Sequence, residues 1–163
     1  VVGNTDFSSG VVDTITTPND PYLSTYQAAI NIGVPFVMVS LATYTRIDPH
    51  HLAAFSSRVM RIILRQQMHF RGVIISDDLG AAAAVAAVAP PTRAIDFLTA
   101  GGDMITSASL PPLRSWLPRC CGQLTRMQPS VPTSSRRTCV FSLLSSPAAC
   151  CHVANQVVST LRH

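Results

Sequence analysis

The chain has 163 residues, of which 47% are hydrophobic and 12% charged, enough for one domain with a sizeable core. No apolar run reaches the ~18 residues of a membrane span. The formal charge of +4 does not indicate a nucleic-acid partner. All eight acidic residues lie at or before Asp103 beside six arginines, and the other six arginines follow with no acid and only Trp116 and Phe141 to stack bases. Lys and Glu are absent throughout, a bias that suits a GC-rich coding sequence.

The opening "VVGNTDFSSG" has no initiator Met and no signal pattern, and it reads as the middle of a longer protein. Residues 1–20 are rich in Gly, Ser, Thr, Asp and Pro, which predicts a loop. Tyr22 to Ile32 carries apolar residues at helical spacing before a Gly33 stop. "VPFVMVSL", Val34 to Leu41, is short, continuous and β-branched, the pattern of a buried strand. "TRIDPHH" is a loop. Its His50 and His51 are neighbours whose side chains point apart, which makes a poor metal pair.

Ser56 to Phe70 predicts an amphipathic helix with Val59, Ile63 and Met68 inward and Arg outward, and His69 at its surface or core edge. Gly72 to Asp77 is a second strand, "GVIISD", running into the carboxylates Asp77 and Asp78. The Ala-rich Leu79–Val88 stretch predicts a helix, interrupted by Pro90–Pro91. "TRAIDFLTAGG" resumes a helix and "DMITSAS" gives a third strand.

Helices alternating with strands across short connections imply right-handed crossovers and an α/β fold with a parallel sheet. Functional groups then gather at the carboxyl ends of the strands. Asp77 and Asp78 stand at one such end; Ser40, Thr43 and Tyr44 stand at another, and Ser107 at the third. Periodicity leaves two readings of the aspartates open: an N-cap for the following helix, or a reactive pair of which one caps and the other faces a pocket.

All five cysteines, Cys120, Cys121, Cys139, Cys150 and Cys151, lie in the tail. Adjacent pairs do not match zinc-ligand spacing and an odd count leaves one unpaired. No metal or organic cofactor is expected.

Taken together, "VPFVMVSLATYTRIDPHH", the S-x-x-V helix ending in Leu-Arg, "FRGVIISDDL" and "AIDFLTAGGDMI" resemble the N-terminal barrel domain of glycoside hydrolase family 3, in its β-N-acetylhexosaminidase branch. The resemblance covers about residues 1–109 and keeps the order and spacing of the motifs. It implies the C-terminal portion of a (β/α)8 barrel, with about three of its parallel strands. A complete barrel needs roughly 200 or more residues. The absent strands carry the family's sugar-binding groups, so the isolated chain is expected to lack activity.

By the same resemblance Asp77 is the nucleophile of a retaining glycosidase, and Asp78 organises the strand end and the substrate side of the site. Ser40 and Tyr44 stand at positions expected to meet substrate. The implied substrate is a glycan ending in N-acetylglucosamine, of cell-wall type, with no nucleic acid and no membrane span involved. A β-glucosidase-type specificity and a non-catalytic carbohydrate-binding or interaction module remain as alternatives.

The family's acid/base is a His preceded two positions earlier by Asp, in a loop before residue 22. Here Asn4 and Asp6 occupy those places. Asp6 is therefore either the proton donor or a turn former. The Met usual after the aspartate pair is replaced by Gly80 and alanines.

Residues 110–163, rich in Pro, Ser, Arg and Cys, depart from the family's long closing helix. Codons chosen for "CVFSLLSSPAACCHV" and read in a shifted frame give an Arg/Leu/Ala/Lys helix with a Gly stop. This tail is read as out of frame, or else as an Arg-rich disordered extension. Either way it is expected to make few long-range contacts.

Overall fold

The computed structural model describes residues 3–108 and the backbone of Val140–Phe141. Its centre is a parallel sheet in the order β2 (Phe36–Val39), β4 (Val73–Asp78), β5 (Met104–Thr106) and β6 (Val140–Phe141). A separate two-stranded parallel pair joins β1 (Val12–Asp13) to β3 (Thr43–Tyr44). The α/β alternation with parallel crossovers is as the sequence predicts.

Register explains which side chains are buried. Phe36 lies beside Val73, Met38 beside Ile75, and Ile75 beside Met104. Alternation along each strand turns Val37, Val39, Ile74, Ser76 and Ile105 to one face, where all are buried. Met60, Ile63 and Leu64 of the helix Arg58–Gln67 pack there, with Phe97 and Leu98 of α2 (Pro90–Ala100). The opposite face carries Phe36 and Met38, which remain 52% and 62% exposed. α1 (Leu23–Asn31) has no fully buried residue, although Leu23 and Ile30 pack against the core.

Several elements depart from the predictions. Residues 1–20 are not all loop: Thr43 N–H donates to Val11 C=O (3.0 Å) and Thr45 N–H to Asp13 C=O (2.9 Å), which makes β1. Two residues are too few for a period-2 pattern to show. The predicted helix over Ser56–Phe70 exists as a π-helix, with Met68 N–H donating to Ile63 C=O at 2.9 Å, and the wider turn moves the inward ridge to Met60, Ile63, Leu64 and Met68.

His69 lies beyond that helix rather than on it, at φ 55°. It is the left-handed residue that ends the helix and lets Phe70 turn into the core, where it is 1% exposed. Arg65 of the helix reaches back to Phe70 and Gly72 carbonyls (2.9 and 2.7 Å) and pairs with Asp103, whose carboxylate also accepts Ile74 N–H (2.8 Å). The start of β4 is thereby locked to the start of β5.

The Leu79–Val88 stretch is not a continuous helix. It is a turn followed by one short 3₁₀ segment, Ala83–Val85. Pro90 and Pro91 do not interrupt a helix but begin α2, where the missing N–H costs nothing. β6 places two tail residues beside Met104 and Ile105 of β5; Val and Phe are strong strand formers. The remaining expectations for residues 110–163, including those for Trp116 and the five cysteines, lie outside the described residues.

Candidate active site

β4 delivers the two aspartates to the carboxyl end of the sheet. Pairing with β5 shifts register between Ile75 and Asp78, since Ile75 opposes Met104 while Asp78 opposes Thr106. A bulge there re-aims side chains that strict alternation would send to opposite faces. The buried Ser76 hydroxyl accepts Thr106 N–H (2.9 Å) and ties β5 to the irregular step.

The bulge leaves the two carboxylates with different partners. Oδ1 of Asp78 accepts three backbone N–H groups, from Gly80 (2.7 Å), Ala81 (3.2 Å) and Ala108 (3.0 Å). Asp78 is thus a cap, but of a turn rather than of the expected helix. Gly80 lies close to Ser107: a Cβ there would lie 2.1 Å from the Ser107 hydroxyl, which would have to move.

Asp77 is half-buried. Its Oδ1 accepts the N–H of Asp78 (2.8 Å), and its Oδ2 is 3.5 Å from the Thr5 hydroxyl, the outer limit of a hydrogen bond. Thr5 and Asp6 belong to an N-terminal segment docked on the loop after β4: Ala83 N–H donates to Asp6 C=O (3.1 Å) and Ala84 N–H to Thr5 C=O (3.0 Å). The Asp6 side chain is exposed, and Asn4 Oδ1 accepts its N–H (2.8 Å) in a local turn.

Asp13 pins the far end of this segment. Its burial raises the carboxyl pKa, but the Thr16 and Ile15 N–H groups and the Thr16 hydroxyl outweigh that and hold it below the usual value.

Ser40 follows Val39, which pairs with Ser76 just before Asp77, and Tyr44 ends β3. They line a cleft of about 270 Å³ with Asp13, Tyr22, Tyr26, Met38 and Met68, and neither Asp77 nor Asp6 is in its wall. The Ser40 hydroxyl accepts Ala42 N–H (2.9 Å), and Tyr44 C=O accepts Ile47 and Asp48 N–H. Ser107 approaches Gly80, on the Asp77 side. The structure therefore brings Asp77, Asp78, Thr5, the Asp6 backbone and Ser107 together at the end of β4, with Ser40 at the end of the neighbouring β2.

Asp48, in the loop after β3, accepts from the Ser56 hydroxyl (2.7 Å) and His50 N–H (3.2 Å) and contacts His51 Nδ1 (3.1 Å). Burial raises its pKa, but these partners prevail and the carboxyl stays below the usual value. This arrangement stiffens the loop; it is not part of the Asp77 site.

Two contributors are invisible to a motif search. Thr5 sits beside the conspicuous Asp6. Arg93 carries a signal in its spacing, because it lies four residues before Phe97 on the buried face of α2. A charged group on an apolar stripe needs internal partners. Burial lowers its guanidinium pKa, and the Asp78 charge only partly offsets this.

The model of the glycosyl hydrolase family 3 N-terminal domain matches residues 8–128. The chain belongs to glycosyl hydrolase family 3. A β-hexosaminidase of Stenotrophomonas maltophilia strain K279a is 40% identical over 80 residues, which are 49% of this chain and 24% of that protein.

The solved β-N-acetylhexosaminidase of Beutenbergia cavernae superposes with a TM-score of 0.72 at 37% identity, covering 76% of this chain and 37% of the other. A family 3 β-N-acetylglucosaminidase from Paenibacillus sp. str. FPU-7 shares the fold, with a TM-score of 0.68 at 21% identity, over 78% of this chain and 25% of that one. The family 3 chain thus spans about a quarter of the curated relative's length, and the sheet face bearing Phe36 and Met38 stays open.

Proposed function

We propose that these residues form the nucleophile-bearing part of a retaining, exo-acting family 3 glycosidase that releases terminal N-acetylglucosamine. The observation that carries this reading is the Asp77 carboxylate at the carboxyl end of a parallel strand, oriented by the Asp78 N–H and the Thr5 hydroxyl. The β-hexosaminidase relatives support the choice of an amino sugar.

In the first step an Asp77 oxygen attacks the anomeric carbon. A covalent ester forms as the glycosidic C–O bond breaks and the leaving oxygen takes a proton. Water then attacks the same carbon, the ester C–O bond breaks to restore Asp77, and the water's proton passes to the group that gave one earlier. The anomeric configuration is retained.

Asp6 is proposed as that group, because its backbone is docked to the loop after β4. The active form is the full-length protein, in which further strands supply sugar-binding groups. A test there compares leaving groups. Asp6→Ala should slow substrates with poor leaving groups most and spare an activated aryl glycoside. Equal losses on both would remove Asp6 from the mechanism.

A further inference from the structure

The loop between β4 and α2, residues 79–89, follows directly on Asp77 and Asp78 and docks the Thr5 and Asp6 backbone. Its backbone groups do not close on themselves as a helix. Ala83 and Ala84 N–H donate outward to Asp6 and Thr5 carbonyls. Gly80 and Ala81 N–H turn back to Asp78. One side chain meets the carbonyls at both ends. Arg93, 6% exposed, donates from one guanidinium nitrogen to Leu79 C=O (2.8 Å) and Gly80 C=O (3.0 Å), and from Nε to Val88 C=O (2.7 Å).

We infer that Arg93 is a positioning residue: it clamps the two ends of the 79–88 loop, and through that loop holds Asp77 and the Thr5–Asp6 segment in one arrangement. The catalytic meaning of the clamp rests on the glycosidase reading above; the clamp itself does not. Physically, the planar guanidinium presents several donors in a fixed fork, which a flexible ammonium does not reproduce. The Asp78 carboxylate fixes the same turn, so Leu79 and Gly80 are held through their carbonyls by Arg93, and Gly80 and Ala81 through their N–H groups by Asp78. The Asp78 N–H that reaches Asp77 lies at the strand end from which that turn departs.

Backbone amide hydrogen exchange on the 163-residue chain at low micromolar concentration tests this without any turnover. Arg93→Met should accelerate exchange about tenfold or more at Gly80, Ala81, Ala83 and Ala84, while Ile74 and Asp103 N–H, both at the start of β4 and β5, keep their protection. Arg93→Lys should recover protection only in part, and free guanidinium added to Arg93→Ala should restore it. Unchanged exchange in the loop, or an equal rise at Ile74 and Asp103, would overturn the clamp.

In the full-length protein, Arg93→Lys should lower kcat more than it raises KM. If the glycosidase reading fails, no turnover depends on Asp77, yet the exchange pattern still decides the clamp.

Discussion

Replacing Asp78 separates the roles of the paired aspartates. Asp78→Ala removes an anionic acceptor from the N–H groups of Gly80, Ala81 and Ala108. Hydrogen bonds to charged groups contribute roughly 1.5–3 kcal/mol each. Ala81 and Ala108 are exposed and will bond water instead, so the loss should approach that of one such bond, about 2–3 kcal/mol, concentrated at the half-buried Gly80.

Asp78→Asn keeps a carbonyl acceptor and loses only the charge assistance, about half the strength, so about 1 kcal/mol. In the full-length enzyme the Asn variant should lose about tenfold in kcat and the Ala variant about a hundredfold or less. Asp77→Asn should lose several orders of magnitude while binding persists. Steady-state kinetics on an aryl N-acetylglucosaminide, with a thermal melt of each variant, reads both effects. If Asp78→Asn is as damaging as Asp77→Asn, or if Asp78→Ala is harmless, the division of labour between the two carboxylates is wrong.

Three further outcomes are expected. His69→Gly should raise stability by about 1 kcal/mol, because the left-handed φ strains any residue with a Cβ; an unchanged or lower Tm would show that the imidazole has a compensating contact. Asp48 and Asp13 have carboxyls depressed in the fold, so their stabilisation is complete above the unfolded value near 3.8 and is lost as pH falls through the lower folded values. Acid titration of stability should therefore steepen below about pH 4 and flatten in Asp48→Asn; a variant profile identical to the wild type's refutes it. The open face at Phe36 and Met38 should make the chain self-associate as concentration rises, and Phe36→Lys with Met38→Lys should reduce the apparent mass in light scattering; no change would mean that another surface drives association.

The strands of the central sheet were legible because their signals are local. "FVMV" and "VIIS" are β-branched runs flanked by turn residues, and a parallel sheet buries them on one face whatever the rest of the chain does. The placement of Asp77 followed from the end of such a run. The loop after it did not, since alanine propensity favours helix there by only fractions of a kcal/mol per residue. Tertiary partners decide instead: Asp78 and the Thr5–Asp6 backbone take its amides, and Arg93 takes its carbonyls. Those partners lie up to about 80 positions away in sequence, where no periodicity can reveal them. Ser40 and Tyr44 show the converse limit. Standing at a strand's carboxyl end predicts the right edge of the sheet, but not what a side chain does there: the Ser40 hydroxyl is taken by Ala42 N–H.

The most direct measurement is covalent trapping. The full-length protein carrying these residues is incubated with a fluoro-substituted N-acetylglucosaminyl donor, whose ester hydrolyses slowly, and the digested protein is mapped by mass spectrometry. The account predicts one sugar esterified to Asp77, and none in Asp77→Asn. A label on another carboxylate, or full turnover by Asp77→Asn, would contradict it.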